Sequence, residues 1–135
     1  MEKEMINELI KRAIRVSGNA YAPYSLFKVG AAILTYDGFI FEGCNVENAS
    51  FGATLCAERV AVGAMTAAGL KGIEAIAVAS DKKIIYPCGI CRQVIAEFID
   101  DADRKCIICA KSQNEYEIYS LNDLFPKSFS PSDLK

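Results

Sequence analysis

"IEAIAVASDKKIIYPCGICRQVIAEFIDDADRKCIICAKS", residues 73–112, decides the architecture. It opens on "IEAIAVAS" (73–80), a short apolar run suited to a buried strand. It continues through "PCGICRQVIAEFI" (87–99), a helix whose Pro87 lies at or just before the first turn. It closes on "KCIICAKS" (105–112), a second candidate strand. Strand, helix and strand in that order give parallel neighbours joined by a crossover helix.

The flanking segments add to this unit. Upstream, "KVGAAILTYDGFIFEGC" (28–44) has two β-rich runs around Asp37-Gly38 and predicts an antiparallel hairpin. Met5, Ile6, Leu9, Ile10, Ala13 and Ile14 recur at helical spacing, giving an amphipathic first helix that ends near Gly18. "YAPYSLF" (21–27) is a loop, because Pro23 keeps Ala22 out of helical geometry. A further helix is expected from about Cys56 to Ala68, stopped by Gly69. Downstream, "EYEIYS" (115–120) reads as a strand and "LNDLF" (121–125) as a short helical turn. The sum is an α/β sandwich around a mixed five-stranded sheet, with strand–helix–strand units giving parallel neighbours and the hairpin an antiparallel edge. No repeat, low-complexity run or linker divides the chain, so residues 1–135 are expected to form one domain.

Composition narrows the function. The chain has 135 residues, is 52% hydrophobic and carries a net charge of -2. No basic field invites a phosphate backbone, so nucleic acid is not an expected partner. The charged N-terminus lacks the apolar core of a signal peptide, and no run is long enough to span a bilayer. A cytoplasmic location follows as the expectation, and in a reducing compartment six cysteines favour metal binding or catalysis over disulfides. Histidine is absent. That removes Ser-His-Asp and Cys-His nucleophile arrangements and every imidazole-based zinc site.

The cysteines fall at telling places. Cys88 and Cys91 in "PCGIC" are three apart, on one face near a helix N-terminus. Cys56, in "TLCAERVAVGAM" (54–65), opens the other central helix. Helix N-termini favour thiolate over thiol, and three thiolates with an open fourth position make a catalytic zinc site. A rival grouping is Cys88, Cys91, Cys106 and Cys109, C-x2-C-x14-C-x2-C, close to a closed structural zinc pattern. Strand residues three apart face opposite ways, so Cys106 and Cys109 do not converge on one ion. They and Cys44 suit burial as small apolar residues. Glu58 is the acid best placed for proton transfer. Cys56 at the helix end can share its pocket, although residues two apart on a helix do not share a face.

"CAER" (56–59) followed by "PCGICRQ" (87–93) resembles the zinc-dependent cytidine deaminases, with Cys56 where many carry histidine. "YAPYSLFKVGAA" (21–32), "GCNVENASFG" (43–52) and the tail "FPKSFSPSDL" (125–134) extend the likeness over nearly the whole chain. The resemblance implies a three-layer α-β-α sandwich holding one zinc ion per chain on Cys56, Cys88 and Cys91. It implies hydrolysis of cytidine and deoxycytidine to uridine and deoxyuridine, with Glu58 shuttling protons. Three thiolates leave the ion at formal charge -1, so a cation nearby restores acidity to the activated water; Arg59 is the natural candidate and Arg92 the second. Asn45 and Glu47 match the residues that hold the ribose hydroxyls, Phe27 the aromatic on the pyrimidine, and the Ala57 N–H the donor to the base carbonyl. Relatives of this length are usually homotetramers with sites at subunit interfaces, and the resemblance then implies that Phe51 and Phe129 reach into a neighbour's pocket. Two other readings compete: a deaminase of another cytosine nucleoside such as blasticidin S, and a four-cysteine zinc module without catalysis. Cys106→Ser separates the last, because only the module loses its metal.

Overall fold

A computed structural model of the chain describes residues 1–134. β1 (Gly30–Thr35) is an interior strand, buried along its whole length, with an almost wholly apolar sequence that suits cover on both faces. β2 (Ile40–Cys44) returns antiparallel through the expected turn at Tyr36–Gly38, with Gly30 opposite Cys44. β3 (Ile73–Ala79) pairs with the other side of β1, again antiparallel, with Gly30 opposite Ala79. β4 (Ile107–Ser112) runs parallel to β3, and β5 (Glu115–Tyr119) closes the far edge antiparallel to β4, giving the order β2-β1-β3-β4-β5.

The unit around residues 73–112 therefore behaves as its sequence requires, with one crossover helix, α3 (Gly89–Phe98), between parallel neighbours. The strand–helix–strand run before it does not. α2 (Ala57–Ala67) connects β2 to β3, yet β3 passes β2 and inserts beyond β1. Burial explains the choice. All but one residue of β3 is buried, which demands an interior position, whereas β2 is only half-buried and stays at the edge.

Two glycines reveal the layers. A Cβ on Gly30 would lie 1.8 Å from the Ala13 carbonyl oxygen of α1 (Lys3–Ser17), and one on Gly43 would lie 2.4 Å from the Ala61 nitrogen of α2. Gly43 pairs with Ala31, so it faces oppositely to Gly30 across the pleat. Hence α1 covers one face and α2, with α3 beside it, covers the other. This is the three-layer α-β-α sandwich. Leu9, Ile10, Ala13, Ala61, Met65 and Ile95 reach into it with no exposed surface, and each large aliphatic side chain contributes about 1.5–3 kcal/mol through burial.

The same register locates the functional end. β2 and β3 both run against β1, so they point the same way, and Cys44 and Ala79 finish flush on the Gly30 row. The segments that follow them lead into α2 and α3, whose N-termini therefore lie at one end of the sheet. Gly69, at φ +87°, stops α2 where the sequence indicated. Cys109 shares a face with Val78, toward α2 and α3, while Cys106 lies three residues back on the opposite face. Both are buried; Cys44 is only half-buried, short of the full burial expected, because β2 is an edge strand. A short α4 (Leu121–Leu124) follows, capped by a reciprocal Ser120–Asp123 pair. No described helix is long and apolar enough to cross a membrane.

Candidate metal centre and active site

Cys56 is the N-cap of α2 and Cys88 the N-cap of α3, both with extended backbones (φ -74°, ψ 154° and φ -70°, ψ 173°). Neither side chain caps its own helix, so each sulfur is free to turn off the helix end. Cys91, in the first turn of α3, is fully buried. The three sulfurs lie within 4.8 Å of one another, and Cys56 Sγ and Cys88 Sγ are 3.9 Å apart. Zinc–sulfur bonds of about 2.3 Å in a tetrahedron place sulfurs about 3.8 Å apart, so this donor set fits a zinc ion. Cys106 and Cys109 are not part of it. The rival four-cysteine grouping fails for the geometric reason its strand placement implied.

Charge in the cluster is uneven. A hydrogen bond from Cys91, helped by Arg59 and Cys88, pulls the Cys56 thiol down to about 5. That bond, with burial, pushes Cys91 up, so it keeps its proton. A bound metal replaces such protons.

Glu58, the second residue of α2, is 4% exposed. Burial, reinforced by negative charge at Cys56, pushes its carboxyl up to about 7. A group titrating there can both take and return a proton at neutral pH. Cys56 lies outside the helix proper as its N-cap, so the rule against i, i+2 neighbours does not separate it from Glu58. Both line one cavity. Arg59 Nη2 sits 2.9 Å from the Thr54 carbonyl oxygen and 3.9 Å from Cys56 Sγ, and its buried Nε has no partner among the described residues. Arg92 instead donates to the Pro87 carbonyl at 2.7 Å and to that of Leu124, bracing the loop before α3 against α4. Gln93 Nε2 holds the Phe129 carbonyl at 2.9 Å.

The cavity encloses about 290 Å³ between Phe27, Val29 and Asn45 on one side and Ala57, Glu58, Ile85, Tyr86 and Cys88 on the other. Asn45 accepts from the Val29 N–H and donates to the Phe27 carbonyl, both at 2.9 Å, leaving one amide hydrogen free of this clip. Glu47 lies just outside, in an adjoining hollow of about 320 Å³ that shares Ser25 and Thr54 with the first. Its Oε1 accepts from the Tyr24 N–H at 3.0 Å and the Ser25 N–H at 3.2 Å, and Oε2 from the Ser25 hydroxyl. The Ser25 hydroxyl, foremost, holds this carboxyl below its ordinary range. Phe51 lines the outer hollow and is 77% exposed. Phe129 is also exposed and lines neither space, so a single chain does not bring it to the pocket. Sequence reasoning missed Ile85 and Tyr86, whose only signal was an apolar pair just ahead of Pro87. It also missed Lys82 and Lys83, each 5.8 Å from the centre of the Phe27 ring.

The family model described as the cytidine and deoxycytidylate deaminase zinc-binding region matches residues 3–110. The chain belongs to this family. It is 42% identical to the cytidine deaminase of Halalkalibacterium halodurans over 135 residues, covering 99% of this chain and 98% of that one. It is also 42% identical to a probable cytidine deaminase of Dictyostelium discoideum, covering 99% of this chain and 90% of that protein. Among solved structures, the cytidine deaminase of Burkholderia pseudomallei superposes with a TM-score of 0.81 at 42% identity, covering 96% of this chain and all of that one. As a member of the deaminase family, the chain has in its three-sulfur group the place for one zinc ion.

Proposed function

We propose that the chain hydrolyses cytidine and deoxycytidine to uridine and deoxyuridine, releasing ammonia. The observation that carries this is Glu58: an acid buried against a three-sulfur group, inside a cavity, with its carboxyl near neutrality. Zinc held by Cys56, Cys88 and Cys91 supplies the Lewis acidity that makes water a nucleophile at neutral pH. Glu58 takes one proton from the water that attacks C4 and passes it to N3. It then takes the remaining proton of the C4 hydroxyl and gives it to the departing amine, so that the C4 carbonyl forms as ammonia leaves. Arg59 keeps a positive charge against Cys56, offsetting the excess of thiolate. The first-turn N–H of Ala57, free of an intrahelical acceptor, is positioned for the base carbonyl.

Phe27 offers a flat apolar wall to the pyrimidine. Asn45, with its spare amide hydrogen, and Glu47, with lone pairs its loop contacts do not use, suit the ribose hydroxyls. A carboxylate there repels phosphate, which favours a nucleoside over a nucleotide. The whole chain serves as a single catalytic domain. Exposed Tyr24 and Phe51 line the outer hollow, and exposed Leu26 and Ile90 adjoin Phe27 and Cys91 in the chain. Covering them together with exposed Phe129 is the rationale for a homotetramer with sites at its interfaces. Three thiol ligands work best where thiols stay reduced, which supports a cytoplasmic location.

The test measures bound zinc per chain and the ultraviolet loss of cytidine on the same sample. Wild type is expected to turn over cytidine with one zinc per chain. Glu58→Gln is expected to keep the zinc and lose about 10²–10⁴-fold in turnover. A zinc-loaded wild type without activity overturns the proposal.

A further inference from the structure

One wall of the cavity is held from a distance. Tyr86 lines it next to Ile85 and Cys88, yet is 46% exposed, so packing alone leaves its ring loosely fixed. Its hydroxyl donates to Glu117 Oε1 at 2.7 Å. Tyr119 donates to the same oxygen at 2.6 Å, and the two rings meet edge to face with centroids 6.0 Å apart. Glu117 lies on β5, the far edge strand, which contributes no residue to the cavity lining. The two phenols hold its carboxyl below the ordinary range, so it stays ionised at neutral pH and offers a charge-assisted bond.

The geometry points to Glu117 as a positioning residue for the nucleoside pocket, acting through the ring of Tyr86. The inference rests on the deaminase reading above. The Tyr86 hydroxyl is committed to Glu117, so the ring is what remains to meet a ligand. An aromatic wall that must be immobilised when the ligand arrives weakens binding by about threefold to tenfold, and a bond formed beforehand removes that penalty. Tyr119 shares the acceptor but does not line the pocket, and the bond from Tyr86 to Glu117 does not require it.

Steady-state kinetics with cytidine on the zinc-loaded enzyme test this. Glu117→Ala and Tyr86→Phe are each expected to raise KM by about threefold to tenfold, with kcat within about twofold and bound zinc unchanged. The double variant is expected to be no worse than either single one, because both remove the same bond. Glu117→Gln keeps an acceptor and is expected to recover part of the loss, while Tyr119→Phe stays close to wild type. Unchanged KM in both single variants, additive effects in the double, or an equal shift in Tyr119→Phe overturns the inference. Calorimetric binding of uridine to the same proteins keeps the two readings apart. Weakened binding in Glu117→Ala beside an inactive wild type sinks the deaminase reading and retains the tether; equal affinity sinks the tether.

Discussion

At Glu58 function and stability pull in opposite directions. Its carboxyl rises from 4.5 in the unfolded chain to about 7 in the folded one, chiefly through burial. The native state then binds the proton more tightly, so stability falls as pH climbs from about 4.5 to about 7, by up to about 3 kcal/mol. Cys56 works the other way. Its thiol is lowered from 9.0 to about 5, so its contribution grows over that range of pH. Glu58→Gln isolates the acid: in metal-free protein it is expected to be more stable than wild type by up to about 3 kcal/mol at pH 8 and about equal at pH 4, read by urea unfolding at both. A variant no more stable at pH 8 removes burial as the cause of the raised carboxyl.

Among the elements, α2 carries Glu58 and takes its position from a backbone contact. No Cβ intervenes between Gly43 and the Ala57–Ala61 turn, where one would lie 2.4 Å from a nitrogen and 2.6 Å from a carbonyl oxygen. Gly30 makes the equivalent approach to α1 on the other face. Gly43→Ala and Gly30→Ala are each expected to lose at least about 1–3 kcal/mol of stability. Only Gly43→Ala is expected to lower kcat per bound zinc, by about tenfold or more, because it displaces the helix that carries the site. Equal kcat in the two variants would show that this contact does not set the site. Much of this was readable in the sequence. Helix starts at Cys56 and Cys88, the stop at Gly69 and the turn at Asp37-Gly38 are local signals carried by a few residues. The insertion of β3 beyond β1 was not, because strand neighbours depend on which strand can be buried on both faces. Nor was the part played by Arg92, whose partners are backbone carbonyls at Pro87 and Leu124, or the link from Tyr86 to Glu117, 31 residues away.

For the whole molecule, the exposed apolar side chains near the pocket make assembly a measurable matter. Light scattering at micromolar concentration is expected to give about four times the 14.7 kDa of one chain, with activity lost as the assembly is diluted apart. A fully active monomer would remove Phe51 and Phe129 from the site. The braces at Arg92 and Gln93 carry a practical lesson of another kind. They moor the stretch from Leu124 to Phe129 directly to the helix bearing Cys91, whereas the first residues of the chain border Cys106 on the opposite layer. An affinity handle fused at the carboxyl end would tug on the metal loop. One at the amino end would leave it undisturbed.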